Sequence, residues 1–249
     1  PEELLGAPRP TLDDVRDRLM AKAELCEKKM ERGFTKLLIV PFSMSIADLS
    51  RIYGERLKEH KVNDQLFAEA DPNTPLALDT NQPVYIWNGY HNEEIRYFPD
   101  QFDSTNPGGM TKEEVIAQSG PWQVVLIEDI PLPRAGQGKE PGQRKQLEAG
   151  ESPRAYLTKL KTDPQYAGEE GLTPELWLMK ALTRLEEKNQ VTDDYAGKGS
   201  LSYNLGAYFP GSAYVADAYC DRDHRRAHMG GAGAGGVGAY FGASSAVRV

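Results

Sequence analysis

Near its C-terminal end the chain reads CDRDHRRAHMGGAGAGG, Cys220 to Gly236, and several chemistries can be written onto those residues. His224 and His228 stand four apart, the spacing that sets two ligands on one face of a helix. With Asp221 and Asp223 they form a set that could hold a metal ion and serve a metal-dependent enzyme. The glutamate of an H-E-x-x-H motif is missing, and a solvated polar loop accounts for the same residues. Cys220 and His224 could pair as nucleophile and base, but no third group is in view to orient the histidine. Gly231-Ala-Gly233-Ala-Gly235-Gly236 matches G-x-G-x-x-G, the cradle of a dinucleotide pyrophosphate. That motif needs a strand before it, a helix after it and an acidic residue about 20 positions on. Here VGAYFGASSAVRV follows, without a helical pattern, and 13 residues remain. No cofactor is expected.

The same segment also supports non-covalent recognition. From Ser212 to Val249 there is no Lys, Glu, Gln or Trp, whereas the preceding segments are rich in the first three. Gly, Ala, Ser, Tyr, Asp, Arg and His take their place. Tyrosine offers a large, rigid contact area, while Gly and Ser let a backbone fit a partner. Tyr214, Tyr219 and Tyr240 are the candidate anchors; packing of the same rings into a core is the alternative. Glycine-rich linkers are flexible. Yet Tyr240, Phe241, Val247 and Val249 close the tail with bulky groups, so a glycine-rich loop held between two ordered strands is expected.

Helices and strands must position these residues. TLDDVRDRLMAKAELCEKKMERG has Leu12, Val15, Leu19, Ala23, Cys26 and Met30 at three- and four-residue steps, predicting one helix over Thr11–Arg32. A buried strand follows in FTKLLIVPF, then a helix over Ile46–His60 capped by Ser45, with Ile46, Leu49, Ile52, Tyr53 and Leu57 inward. VYIWNGYHNEEIRYFP reads as two strands around a turn at Asn88-Gly89. TKEEVIAQSG predicts a short helix and PWQVVLIEDI a strand. PLPRAGQGKEPGQRKQLEAGES reads as a long surface excursion. SPRAYLTKLKTD is a helix with Pro153 at its first position. The clearest helix is Pro174–Lys188, capped by Thr173, with Leu178, Ala181, Leu182 and Leu185 inward. From about Gly199 onward the chain reads as short, irregular β pieces. Helices interleaved with strands that end in a β region indicate an α+β fold.

The bulk properties bound the reading. Among 249 residues the formal net charge is −8, which argues against a nucleic-acid-binding surface. No apolar run is long enough to span a bilayer, so no membrane insertion is expected, and the charged N-terminal stretch has no signal-peptide core. Cys26 and Cys220 are expected to be two free thiols rather than a disulfide scaffold.

The segments YVADAYCDRDHRRAHMGG and FGASSAVRV resemble the C-terminal region of variable proteins of diversity-generating retroelements. The likeness is to those of archaeal viruses and of small-genome archaea and bacteria. LLIVPFSMSIADL, IEDIPLPRAGQGKE and TPELWLMKALTRLEEKNQVTDD fit the same group. The resemblance implies a C-type lectin-like fold of the formylglycine-generating-enzyme kind, with 1–249 as a single domain and 212–249 as its variable ligand-binding region. In that family an error-prone reverse transcriptase substitutes template adenines, turning AAC codons into other codons ending in C. Such codons never encode Lys, Glu, Gln, Met or Trp, which fits the tail, with Met229 as a framework position. The family's catalytic cysteine pair has no counterpart here, so formylglycine chemistry is not implied and the chain is not expected to be an enzyme. The resemblance implies that Met229, Phe241, Val247 and Val249 anchor the tail. Tyr214, Ala218, Tyr219, Asp221, His224, His228, Ala232, Ala234, Ala239 and Tyr240 would project outward to meet a protein or glycan on a host or neighbouring cell. The domain would be monomeric and displayed from a virion or cell surface.

Overall fold

The computed structural model describes residues 8–68, 71–195 and 199–249, and the fold is mixed α+β. Helix α1 (Leu12–Ala21) begins at a capping box in which Thr11 and Asp14 satisfy each other's backbone amides. It stops at Lys22, whose backbone leaves the helical region, and α2 (Ala23–Glu31) continues. The single helix expected over Thr11–Arg32 is therefore two. Leu12 and Met30, at the outer ends of the two helices and both expected inward, are exposed, while Val15 and Cys26 are buried.

Strand β1 (Lys36–Val40) and helix α3 (Ile46–Val62) follow, the helix capped by the Ser45 hydroxyl. Next come β2 (Phe67–Ala68), β3 (Asp71–Pro75), β4 (Val84–Ile86), a one-turn helix α4 (Gly89–Asn92) and β5 (Arg96–Tyr97). The hairpin expected at Asn88-Gly89 does not form. β4 pairs in parallel with a strand of the tail, β5 pairs elsewhere, and the Asn88-Gly89 step opens α4. Helix α5 (Lys112–Ser119), strand β6 (Gln123–Ile127), helix α6 (Pro153–Thr162), strand β7 (Glu170–Gly171) and helix α7 (Pro174–Lys188) complete the part before the tail.

The tail region is more regular than its sequence pattern indicates. Strands β8 (Leu201–Phe209), β9 (Tyr214–Asp221) and β10 (Arg226–Gly233) form an antiparallel meander, followed by β11 (Phe241–Ala243) and β12 (Ser245–Arg248). The irregular, loop-rich β region expected there is a sheet in the order β11-β8-β9-β10-β4, with β5 also on β8. β8 is buried along its whole length. Its first half, LSYNL, alternates, but Ser202 and Asn204 are themselves buried and the pattern breaks at Gly206, where the pairing with β9 also shifts.

Helices α3 and α7 cover one face of this sheet. Tyr53, Leu57, Trp177, Leu178, Ala181 and Leu185 meet Ala218, Ala227 and Met229 there. The other face packs on α6 through Tyr156, Leu157 and Leu160 against Tyr203, Leu205 and Val215. A second sheet runs β1-β6-β12-β7. The two sheets touch where Gly206, in an irregularity of β8, donates its N–H to Leu172 O at 2.8 Å. A Cβ on Gly206 would lie 2.5 Å from the Gly171 carbonyl oxygen, so this contact requires glycine.

β12 is the tail's anchor in the second sheet, where it pairs antiparallel with both β6 and β7. Beneath it sits a buried charge cluster. Arg144 grips Glu169 with Nε and Nη2, both at 2.7 Å, and Glu169 also takes the Lys29 ammonium at 2.6 Å and the Ser245 hydroxyl at 2.6 Å. Glu128 lies 3.2 Å from the same guanidinium, which also faces the rings of Phe34 and Tyr166. Burial pulls the Lys29 pKa down and pushes the Glu128 pKa up. Removing one partner of a buried pair leaves the other charge uncompensated. Arg144→Ala is therefore expected to lose about 3–5 kcal/mol in urea unfolding. Lys36→Ala, which breaks the surface pair with Glu187, should lose less than about 1 kcal/mol in the same measurement.

Candidate ligand-binding face

The β9–β10 hairpin carries most of the expected contact residues, and its alternation decides which of them reach solvent. On β9, Ala218 faces the α3/α7 core with no exposed surface, so it does not project outward as expected. Its small size lets Tyr53 and Trp177 pack close. Tyr214 is 39% exposed at the start of β9, with its ring 5.5 Å from that of Trp87. Tyr219 is half-buried and stacks on His228 at 4.7 Å. His228 is half-buried between Tyr219 and Tyr85, whose ring centroid lies 4.8 Å away.

At the hairpin tip Asp221 is buried, which corrects its expected projection. It organises the turn, accepting the Asp223 and His224 amides at 3.1 Å, with His224 Nδ1 at 2.7 Å from its second oxygen. Burial opposes ionisation of Asp221, but these contacts with His224 and Asp223 outweigh it and hold the carboxyl below its usual range. The His224 ring stays exposed. Three outside contacts fix the tip: a two-pronged Arg222–Asp194 pair at 2.6 and 2.5 Å, the Asp79 amide on Arg225 O at 2.7 Å, and an Arg226–Gln82 bond.

The glycine-rich segment leaves the end of β10 and is tied down along its course. Ala234 is buried, not outward as expected: it packs into the cluster under α6 with Tyr156 and Tyr203, and its carbonyl accepts the Arg154 amide at 3.1 Å. Ala232 is half-buried. Beyond the loop Ala239 is exposed and Tyr240 is 45% exposed, its ring 4.2 Å from the Arg134 guanidinium carbon. Leu201 donates its amide to Tyr240 O at 2.8 Å, and Gly150 donates to Phe241 O at 2.9 Å. Met229 and Val247 are fully buried, and Phe241 and Val249 pack partly into the core, as anchoring residues should.

The outward groups thus fall into three places: Tyr214 beside Trp87, His224 at the hairpin tip, and Ala239 with Tyr240 past the loop. A band of half-buried rings lies on the sheet face that carries Tyr219 and His228, opposite the face that Tyr214 shares with Ala216 and Ala218. Arg226 faces Tyr85, whose ring meets His228 at a tilt, and His228 stacks on Tyr219. Tyr195 then meets Tyr219 and Phe241 edge-on. Tyr85 and Tyr195 lie outside the tail, and sequence reasoning missed them. The one available signal was the alternation in VYIW.

Sequence reasoning also missed Asp217. It pairs across the strands with Tyr203 and Gly230, is 6% exposed, and its Oδ1 has no hydrogen-bond partner. A Cβ on Gly230 would lie 2.5 Å from that oxygen and 2.7 Å from His228 Nε2, so glycine here makes room for both side chains. Burial pushes the Asp217 carboxyl up to about 7, against the pull of the Gly230 amide, and burial draws the His228 pKa down.

The other chemistries separate spatially. Cys220 faces the α3 side of the sheet, and burial pushes its thiol up to about 12, while His224 is engaged with Asp221, so the two do not form a nucleophile pair. Both cysteines are free thiols. Among the described residues no three His, Cys, Asp or Glu side chains converge in a metal-holding group. The G-x-G-x-x-G stretch runs from the end of β10 into a loop and then β11, with no helix to receive a pyrophosphate. No described helix is long and apolar enough to cross a membrane. Compared with known protein families, characterised proteins and solved structures, the chain matches none.

Asp217 gives this site a pH signature. Its folded pKa lies above its ordinary value of 3.8, so the folded state holds the proton more tightly. The stability this supplies is complete below about pH 4 and is lost as pH rises through about 7. A shift of that size corresponds to about 4 kcal/mol. The unfolding free energy of Asp217→Asn minus that of the parent should therefore rise by up to about 4 kcal/mol between pH 4 and pH 8. A pH-independent difference in denaturant titrations would contradict the assignment.

Proposed function

We infer that this chain is a ligand-binding variable protein of the diversity-generating-retroelement kind, with a C-type lectin-like domain spanning 1–249 and a replaceable contact surface within 212–249. It recognises a protein or glycan on another cell or a host through side chains that differ between variants while the backbone stays fixed. The function is recognition rather than catalysis.

The observation that carries this reading concerns the tail glycines. A Cβ added at Gly233 or Gly235 would meet nothing within 4 Å, and at Gly236 it would only touch the Gly233 carbonyl at 3.4 Å. None of the three lies in the left-handed backbone region that demands glycine. Space and backbone both admit other side chains there, beside the exposed Tyr214, His224, Ala239 and Tyr240. The strands on either side are locked, so a new side chain would alter the surface without altering its support. The tail's residue types, all reachable from AAC codons apart from Met229, support the same reading. So does β12, which returns the end of the tail to the sheet built from β1 and β6.

Two experiments test this. The DNA around the gene should hold a near-copy of the segment encoding 212–249, differing mainly at adenines and lying beside a reverse-transcriptase gene; its absence argues against the retroelement reading. Substitution offers a second check. Gly235→Ala at a compatible site is expected to raise stability by about 0.4–1 kcal/mol by stiffening the unfolded chain. Gly230→Ala, which meets Asp217 and His228, should lower it. In a complex with a selected partner, Tyr214→Ala or Tyr240→Ala should cost about 2 kcal/mol or more of binding where that ring is an anchor.

A further inference from the structure

We propose that a second site, separate from the tail's outward face, binds a small hydroxylated oxyanion such as a sugar phosphate or a hydroxycarboxylate. The site is a cleft of about 490 Å³ between α1–α2 and the ends of β6 and β12. Its volume falls within the roughly 300–1,000 Å³ of small-molecule sites. None of the residues assigned to the recognition face lines it.

Three cations, Arg18, Lys22 and Arg248, line the cleft together with the side chain of Glu170 and the last residue of the sequence, Val249. Arg248 is set in place: it pairs with Glu170 at 2.8 Å and lies over the Phe98 ring at 4.5 Å. Arg18 and Lys22 differ, since each donates only to a backbone carbonyl, Trp122 O at 3.2 Å and Arg248 O at 3.0 Å. Among the described residues neither forms an ion pair with a carboxylate. Asp14, which feels the charge of Arg18, is occupied by Thr11. Arg18 and Lys22 thus bring to the cleft donors that no carboxylate takes up, and an anion entering it can accept from them.

The second observation is Gln123. It lines the cleft and is 1% exposed, and neither its amide nitrogen nor its amide oxygen has a hydrogen-bond partner. A buried amide left unpaired is costly. A simple halide would answer the cations but could not use the amide oxygen. A ligand with both oxyanion and hydroxyl groups can accept from Arg18, Lys22 and the Gln123 nitrogen while donating to the Gln123 oxygen. Leu25 and Val124 give the cleft an apolar wall for a carbon skeleton.

Calorimetric titration with glucose 6-phosphate and with citrate, at matched ionic strength, tests the site and tells phosphate from carboxylate. At least one probe should bind saturably. Lys22→Gln should weaken it at least tenfold and Lys22→Glu should abolish it. Lys188→Gln, whose lysine pairs with Asp129 elsewhere, should leave it unchanged. Without probe, Lys22→Gln should unfold at about the same temperature as the parent, because the exposed Lys22 side chain gives up only one hydrogen bond, to Arg248 O. If a Lys22 variant fails to fold, Arg18→Gln is read in its place with the same expected loss. The proposal is overturned if neither probe binds saturably, or if the Lys22 and Arg18 variants bind as the parent does.

Discussion

The Glu169 carboxylate is the point on which the rest of this structure depends. It is buried, and a buried carboxylate persists only where its charge and its lone pairs are met. Here they are met by Arg144 from the long excursion, Lys29 from α2 and Ser245 from β12, while Glu128 after β6 balances the second cation. Segments far apart in sequence can satisfy it only by coming together. The cluster therefore specifies how the helical N-terminal part, the excursion and the last strand assemble. An apolar cluster of the same volume could stabilise as much but would tolerate many more arrangements. The planar guanidinium, wedged between Phe34 and Tyr166, adds an orientation that a lysine could not supply.

Fixing β12 fixes the tail. The glycine-rich stretch lies between β10, whose Met229 is sunk in the α3/α7 core, and β11–β12, pinned by backbone pairing and by Ser245. Glycine-rich composition alone would give a flexible chain. Here its freedom is spent by contacts from both sides: Arg154 on Ala234, Leu201 on Tyr240 and Gly150 on Phe241. The tail's small residues consequently do two opposite jobs. Ala218 and Ala227 are small because Tyr53 and Trp177 need the room. Gly233 and Gly235 are small with empty space around them.

That split explains how far the sequence could be read. The helices α3 and α7 and the strands β1 and β6 were legible because each has a clear apolar period or a clean apolar run. The tail's β-rich character was legible, but its long strands were not: the alternation of β8 over Leu201–Leu205 is cut at Gly206, and β9 is filled with alanines. The break at Lys22 has no glycine or proline to announce it. Among the contact residues, Tyr214, His224, Ala239 and Tyr240 were legible as outward-facing. Ala218, Ala234 and Asp221 were not, because alanine is equally at home in a core, and because an aspartate that caps a turn looks like one that meets solvent. Asp217 lies in a run of small apolar residues, VADA, and that mismatch was the one available signal of a buried carboxyl.

On the proposed reading, the two kinds of small residue make variation inexpensive. A side chain added where space is open and the backbone is already extended or right-handed removes disorder from the unfolded chain and asks nothing of the folded one. Its effect on stability is then small, and its effect on binding is undiluted by refolding of the loop, because the backbone that carries it is ordered beforehand. The same change at Ala218 or Gly230 would meet Trp177 or Asp217 and be selected against as a folding defect before any partner was sampled. Buried charge at Glu169, close packing under Ala218 and open space over Gly235 are therefore parts of one arrangement. The first holds the tail still, the second sets which positions must not change, and the third sets which positions can.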